Sequence, residues 1–295
     1  MLYFKKNNEG VIDVIGNAFF VIVRVLYKKN GGEIVKNIKI KNISFSYKED
    51  GKLVLNNIDL DVRNGEFVCI LGQSGCGKST FLRLLAGLEK PSEGEILIDE
   101  EPIKNASLER GVVFQDYGLF PWMTVGENLL LALKQRFPKE NKKKWKETAV
   151  EMLQKVGLEE TVYSKLPKEL SGGMKQRCAI ARAFSIDPPI LLMDEPFGAL
   201  DAVTRARLQD LVLDLWSKEA ERKTVFFVTH DVDEALLLGE RILVFGQSPS
   251  SIIFECTIPE DKRPNRITQF ENVEIMALRN ELIKNINKEV FANLY

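Results

Sequence analysis

The segment Gly72-Gln-Ser-Gly-Cys-Gly-Lys-Ser-Thr80 matches the pattern G-x-x-x-x-G-K-S and predicts a phosphate-binding loop. It follows the apolar run Phe67-Val-Cys-Ile-Leu71, which is typical of a buried strand, and precedes a helical pattern over residues 79–86. In this context the glycines let the backbone curl until successive N–H groups point at phosphates, and the helix dipole adds positive potential. A glycine-rich turn without a ligand is the alternative, but the flanking strand and helix argue against it.

The side chains of this loop have separate predicted roles. Lys78 would bridge the outer phosphates of a nucleoside triphosphate, and the Ser79 hydroxyl would bind Mg²⁺. Thr80 is placed to contact an inner phosphate. The predicted nucleotide-binding set is therefore Gly72, Gln73, Ser74, Gly75, Cys76, Gly77, Lys78, Ser79 and Thr80.

Short apolar runs alternate with helical patterns over most of the chain. The runs lie at residues 95–99, 111–114, 190–193, 224–229 and 241–245, and the helical patterns at 142–156, 173–184 and 204–218. Such alternation is typical of a parallel sheet with helical crossovers. Residues 38–62 instead show the two-residue period of antiparallel strands, and 115–170 show little strand pattern. The sequence therefore predicts an α/β fold with an N-terminal antiparallel β subdomain and a helical subdomain inserted at about 116–172.

Composition and charge limit the classes of function. The chain has 295 residues, of which 45% are hydrophobic and 28% charged, as in ordinary globular proteins. Lys and Arg number 41 against 42 Asp and Glu, so no global basic field favours nucleic acid, and we expect no nucleic-acid partner. The four cysteines form no CxxC pair and are expected to be reduced thiols. No run reaches the ~20 apolar residues that a membrane span needs.

The two ends of the chain are predicted to be appendages of one main domain at 33–259. Residues 1–32 are expected to form an N-terminal extension with a mostly buried helix, because its polar residues between 13 and 28 fall on one narrow stripe. Residues 260–295 are expected to form a linker and a terminal helix. The apolar residues of that helix recur at three- and four-residue steps, which favours docking on its own domain over binding a partner. These residues are Ile275, Leu278, Leu282, Ile286 and Val290.

Polar side chains follow three more of the predicted strands. Asp194 ends one run and is predicted to hold the Mg²⁺ shell, with Glu195 beside it facing the attacking water. His230, the only histidine, ends another run and is predicted to contact a γ-phosphate, although a lone histidine is more often structural. Gln115 follows a third run and can reach Mg²⁺ or the water.

Three further features remain open between two interpretations. Leu170-Ser-Gly-Gly-Met174 opens a helix with Ser171 as N-cap, and the N–H groups of Gly172 and Gly173 form an anion site there. This segment lacks a lysine or Mg²⁺ ligand, so a phosphate that it meets is expected to belong to another site; an ordinary capped helix is the alternative. Tyr47 can stack on adenine or fill a core position. Leu119-Phe-Pro-Trp122 is either core or a docking surface for another protein's helix.

Together these motifs resemble the ATP-binding subunits of ABC transporters, over about residues 37–258. The resemblance implies that ATP is the nucleotide and that Lys78, Gln115, Glu195 and His230 take part in its hydrolysis. It implies that Ser79, Gln115 and Asp194 bind Mg²⁺. It also places Gly72–Thr80 on the Walker A motif, Ser171–Gly173 on the signature, Asp201 in the D-loop of the nucleotide site and Tyr47 at the adenine-stacking position.

The stretch from Glu109 to Val125 and the short terminal helix are similar to the nitrate, sulfonate and taurine branch of importers. The resemblance implies a head-to-tail pair of ATPase subunits, a homodimer, in which Ser171 and Gly173 of one chain close on the γ-phosphate held by the other. It further implies a separate integral-membrane permease, a peripheral position on the cytoplasmic face of the membrane, and an external solute-binding protein acting indirectly. A soluble ABC-type ATPase that takes no part in transport is the alternative.

Overall fold

The computed structural model describes residues 5–6, 12–13, 37–47, 51–198, 200–217 and 222–291. The strands are β1 (Lys5–Lys6), β2 (Ile12–Asp13), β3 (Ile38–Ser46), β4 (Leu53–Val62), β5 (Phe67–Leu71), β6 (Glu93–Ile98), β7 (Glu101–Pro102), β8 (Arg110–Val113), β9 (Ile190–Asp194), β10 (Thr224–Val228), β11 (Arg241–Phe245) and β12 (Ile252–Thr257). The α-helices are α1 (Lys78–Ala86), α2 (Val125–Arg136), α3 (Lys142–Lys155), α4 (Gly172–Ser185), α5 (Ala202–Ser217), α6 (Val232–Leu238) and α7 (Val273–Phe291). Short 3-10 helices lie at Glu160–Ser164, Pro167–Glu169 and Glu260–Lys262.

The central sheet has six strands in the order β12-β11-β5-β10-β9-β8. The five strands from β11 to β8 are parallel, and β12 pairs antiparallel with β11 at the edge. The strands β5, β9 and β10 are fully buried, which agrees with their unbroken apolar sequences. Because the strands are parallel, the loops that follow β5, β8, β9 and β10 all leave the sheet at the same edge, where open α/β sheets bind ligands.

A second, antiparallel sheet has the order β4-β3-β6-β7. Its inner face packs on the side of the central sheet that also holds α1, in a core shared by Ile40, Ile58, Ile70, Phe81 and Phe226. The antiparallel β subdomain expected before the phosphate loop is therefore present, and β6 and β7, which follow α1 in the chain, complete it.

The stretch between β8 and α4 contains helices and no strand. It holds α2, α3 and two of the 3-10 helices, and α2, α3 and α4 pack on one another. Thr124 caps α2 with a capping box to Glu127, and Asn141 caps α3. The helical insertion expected at about 116–172 therefore occupies the segment where strand patterning is weak.

The C-terminal end of the chain agrees with the prediction, whereas the four described residues near the N-terminus do not. In α7, Leu282 is fully buried and Ile275 nearly so, and both pack on the core beneath β5 and β11, so the helix docks on its own domain. At the other end, β1 and β2 pair as short antiparallel strands, so these four residues are not helical. The remainder of the helix predicted within residues 1–32 lies outside the described residues.

Candidate functional site

The phosphate-binding loop forms the predicted turn between β5 and α1. Gly77 is the N-cap of α1 with a φ of +100°, and a Cβ there would lie 2.8 Å from the Leu55 side chain. Only glycine adopts this left-handed backbone without strain, so the helix start is open to a phosphate. The Lys78 side chain is 5% exposed, and its Nζ donates to the carbonyl oxygens of Gly72 and Gln73, both at 2.8 Å.

Tyr47 lies beside this loop rather than in the core. Its hydroxyl is hydrogen-bonded to that of Thr80 at 3.1 Å, and its ring meets Phe45 edge to face with centroids 4.8 Å apart. The side chain is 39% exposed. The tyrosine ring is therefore held next to the phosphate loop while the residue stays accessible, as a base-stacking position requires.

Asp194 ends β9 next to the phosphate loop. The residue is 8% exposed, and in the described part of the chain its Oδ1 is buried without a hydrogen-bond partner. Burial raises the pKa of this carboxyl, and the nearby Ser79 hydroxyl and Lys78 ammonium offset the rise only in part. An unpaired carboxylate oxygen near a serine hydroxyl is a donor set that Mg²⁺ accepts, so Ser79 and Asp194 fit the ion.

Glu195 and His230 meet at the ends of neighbouring strands. Glu195 Oε2 lies 3.3 Å from His230 Nδ1, and the Glu195 N–H donates to the carbonyl of Val228 at 3.0 Å. Glu195 has a φ of +45°, the left-handed region that non-glycine residues adopt mainly where surrounding structure enforces it. A cleft of about 50 Å³ lies against both side chains and is also lined by Arg205 and Thr229. The acidic and imidazole groups predicted separately are therefore brought together.

Gln115 follows β8, the neighbour of β9. Val113 pairs with Met193, so Gln115 lies one residue beyond the level of Asp194, and it is exposed. The segment after it turns back through Tyr117 and Gly118, both with positive φ. Gln115 thus lies at the same edge of the sheet as the carboxylates.

The Ser171 and Asp201 side chains both cap helices. Ser171 Oγ accepts from the Met174 N–H at 3.3 Å, which leaves Gly172 and Gly173 in the first turn of α4 as predicted. Asp201 accepts from the Thr204 N–H at 2.9 Å, and this bond lowers the pKa of its carboxyl. Within the described residues, no hydrogen bond joins Ser171–Gly173 to the phosphate loop of the same chain.

Cys76 contributes its backbone, not a reactive thiol, to the loop. Its side chain is 3% exposed, and burial raises the pKa of the thiol despite the Lys78 ammonium nearby. At neutral pH the sulfur is therefore protonated and poorly nucleophilic.

Several residues around the site were not indicated by the sequence patterns. Arg205 lines the cleft beside Glu195 and donates to the Leu200 carbonyl at 3.2 Å. Asp231 caps α6 by accepting from the N–H groups of Asp233 and Glu234. The Asp at the start of Asp231-Val-Asp-Glu-Ala235 is an N-cap pattern that could have revealed this helix, whereas nothing local marks Arg205.

The geometry defines the class of protein. A phosphate loop at the end of a central strand, with a buried carboxylate, a Glu–His pair and a glutamine at adjoining strand ends, makes a P-loop nucleoside triphosphatase site. In the part of the chain that the structure describes, no helix combines the length and the apolar character needed to cross a bilayer.

Comparisons with known proteins define the family. Residues 55–198 match the family model described as ABC transporter. The aliphatic sulfonates import ATP-binding protein SsuB of Bacillus cereus (strain ZK / E33L) is 44% identical over 234 residues, covering 77% of this chain and 89% of that protein. The nitrate import ATP-binding protein NrtD of Synechococcus elongatus is 42% identical over 232 residues, covering 78% and 84% respectively.

A solved structure agrees with the sequence relatives. The dimeric ATP-binding cassette MJ0796, in a post-hydrolysis state bound to ADP and Pi, superposes with a TM-score of 0.69 at 35% identity, covering 75% of this chain and 99% of that one. The chain therefore belongs to the ABC transporter family of ATP-binding proteins and is an ATPase.

Proposed function

We propose that this chain is the energy-coupling subunit of an ABC importer for a small solute such as nitrate, a sulfonate or taurine. Two copies would bind head to tail, dock on a separate integral-membrane permease at the cytoplasmic face of the membrane, and hydrolyse ATP with Mg²⁺. The names of its sulfonate and nitrate relatives support import, and the dimeric cassette relative supports the pairing. An external solute-binding protein would deliver the solute to the permease.

The residues at the strand ends carry out the proposed ATP hydrolysis. Glu195 would orient the attacking water and accept its proton, while His230 holds the Glu195 carboxylate in place and contacts the γ-phosphate. The Lys78 ammonium would stabilise the charge that develops on the phosphate oxygens. Mg²⁺, held by Ser79, Gln115 and Asp194, would supply further neutralisation of that charge. The Ser171–Gly173 turn of the second copy would complete the site.

The observation that supports docking most directly is a groove beside the Gln115 segment. This groove of about 220 Å³ is lined mainly by apolar side chains, with guanidinium groups at its wall. Trp122, next to it along the chain, is 58% exposed with its ring 5.6 Å from that of Phe120, so it is not core. The lining includes Leu88, Ala106, Leu108, Phe114, Phe120 and Arg110.

The chemistry of this groove fits an apolar helix that bears a carboxylate. Apolar side chains would fill the groove, and its lining of three guanidinium groups (Arg83, Arg110 and Arg182) against one carboxylate (Asp116) favours an acidic side chain on the partner helix. Phe114 and Phe120 lie on either side of Gln115 in the chain. A permease helix seated here would therefore contact the segment that follows the Mg²⁺-binding edge.

The test is co-purification from native membranes. Tagged protein, solubilised with its partners in detergent, should bring down a multi-span permease identified by mass spectrometry. Trp122→Glu should lose the permease while the purified chain keeps its ATP binding. The matched control is Ile267→Glu, because Ile267 is 80% exposed and lies far along the chain in the linker before α7.

Three outcomes would contradict the proposal. Recovery of soluble partners alone would favour the soluble ATPase alternative. Equal permease recovery by Trp122→Glu and the wild type would exclude Trp122 and the surface next to the groove from the docking site. Loss of the permease by Ile267→Glu would place docking elsewhere.

A further inference from the structure

A network of buried polar side chains lies behind the turn that carries His230. Thr229, Gln209 and Glu234 are all buried, although side chains of these types mostly lie at the protein surface. Burying a polar group costs free energy unless the group has a hydrogen-bond partner. These three side chains are satisfied by one another and by their neighbours, so their bonds show what the network holds in place.

An arginine fixes the direction of the bonds in this network. Arg266 Nη1 donates to Gln209 Oε1 at 3.0 Å, and because a guanidinium can only donate, the Gln209 amide nitrogen must point the other way. Gln209 Nε2 donates to Glu234 Oε1 at 2.7 Å. Arg266 is itself anchored on α5 by the Ala206 carbonyl at 3.0 Å and the Asp210 carboxylate at 2.7 Å. The segment before α7 therefore sets which atom of Gln209 is offered to Glu234.

Glu234 links this arrangement to the end of β10. Burial raises the pKa of the Glu234 carboxyl, and the hydrogen bond with the Thr229 side chain opposes that rise. A carboxylate can only accept, so the Thr229 hydroxyl donates to it and keeps its oxygen as an acceptor. That oxygen accepts from the Asp231 N–H at 3.0 Å, and the Thr229 N–H donates to the Ile70 carbonyl at 3.1 Å. The backbone is thus held on both sides of His230.

The imidazole of His230 depends on this turn for its position. Its side chain is 65% exposed, so it is held mainly by its own backbone, and its Nδ1 lies 3.3 Å from Glu195 Oε2. A movement of the turn at residues 229–231 would therefore carry the imidazole away from the carboxylate.

We infer that Thr229 and Glu234 are positioning residues for His230. Gln209 and Arg266 extend their effect to the segment before α7. Breaking the network lets the turn move and slows the chemical step, while ATP binding at the phosphate loop stays intact. This role rests on the proposed contact of His230 with the γ-phosphate, but not on an importer function.

Steady-state ATPase kinetics of the full chain separates placement of the histidine from ATP binding. Thr229→Val keeps the approximate size of the side chain and removes the hydroxyl. Its kcat should fall by about two- to tenfold, the range that corresponds to one net hydrogen bond, with KM for ATP unchanged. Thr229→Ser restores the hydroxyl and should recover most of the rate. A wild-type kcat in Thr229→Val, or an equal loss in Thr229→Ser, would overturn the inference.

A double variant shows whether the effect passes through the imidazole. His230→Ala should be slower than Thr229→Val, and combining the two changes should cost nothing further, because both act on the same group. If His230→Ala kept the wild-type rate, the proposed role of His230 and the positioning role would fail together. If His230→Ala were slow and Thr229→Val slowed it again by the same factor, the positioning role alone would fail.

Magnetic resonance gives a direct readout of the ring, because His230 is the only histidine of the chain. In protein made with isotope-labelled histidine and without a histidine tag, every imidazole signal belongs to this residue. The signals should shift in Thr229→Val and also in Gln209→Met and Arg266→Met, which break the distant bonds. Gln154→Met, at an exposed position of α3, is the control and should leave them in place. Unchanged signals in any of the three network variants would contradict the inferred network.

Discussion

The Oε2 atom of Glu195 lies 3.3 Å from Nδ1 of His230, across the ends of two adjacent parallel strands. The two residues are 35 positions apart, yet the pairing of Asp194 with Val228 sets their backbones side by side. A carboxylate that is held by an imidazole and flanked by a small cleft is placed to align one water molecule.

Replacing the carboxylate should stop the chemical step without preventing ATP binding. We expect Glu195→Gln to lower the ATPase rate by about 100-fold or more, the range for loss of a general base. With hydrolysis blocked, the variant should accumulate as an ATP-bound dimer in size-exclusion chromatography with Mg²⁺ and ATP. Glu147→Gln on the exposed face of α3 is the control. A Glu195→Gln chain that binds nucleotide and stays monomeric would contradict the expectation.

Complementation should reveal whether the Ser171 turn acts on another chain's phosphate. Lys78→Ala and Ser171→Arg should each be inactive alone. An equal mixture should regain activity, because pairs of unlike chains contain one site with an intact Lys78 and an intact Ser171. A mixture that associates but stays inactive would indicate that both elements act within one chain.

Tyr47 should contribute to ATP affinity through its ring rather than its hydroxyl. Tyr47→Ala should weaken ATP binding by about five- to a hundredfold, the range for loss of one base-aromatic stack. Tyr47→Phe loses the bond to Thr80 but keeps the ring, and should bind within a few-fold of the wild type. Equal losses in the two variants, measured by calorimetry, would assign the effect to the hydroxyl.

Glu234 should make the folded chain less stable as the pH rises. Burial raises the pKa of its carboxyl, although Gln209 Nε2 donates to it at 2.7 Å. The folded chain thus keeps this proton to a higher pH than the unfolded chain, and stability falls as the pH passes from the ordinary pKa of about 4.5 through the raised one. Glu234→Gln removes this loss and should gain in Tm over the wild type more at pH 8 than at pH 4.5. The exposed Glu271→Gln should show no such difference.

The parts of the site that lie close in sequence were the parts that sequence could predict. The loop at 72–80 and the carboxylates after β9 follow from local patterns, because a buried strand and a helix start leave few ways to arrange the residues between them. Tyr47 and Ser171 could be singled out, but the sequence did not decide their roles. For Tyr47 the reason is that a stacking ring and a core ring have the same sequence pattern. The exposure of Tyr47 and its bond to Thr80 exclude a core position for that ring, whereas stacking on adenine and the role of Ser171 stay predictions.

The contacts between distant elements could not be predicted from patterns. Gln73 and Ile286 meet across 213 residues, and Arg279 and Asp233 across 46, with nothing local to indicate either pair. Helix α6 was missed because its seven residues are too few for a clear helical period. The acidic N-cap at Asp231 is the one local signal that could have revealed it.

Because the Ser171 cap lies apart from the phosphate loop of its own chain, the proposed pairing would also limit ATP hydrolysis by unassembled subunits. In the proposed head-to-tail pair one subunit carries only half of each catalytic surface, so newly made chains that are alone and dilute would not hydrolyse ATP. The proposed permease, by holding two subunits a fixed distance apart, would raise their effective concentration to about the millimolar range typical of tethered partners, without any new contact. The total rate of ATP hydrolysis in the cell would then depend on the number of assembled transporters rather than on the number of subunits made.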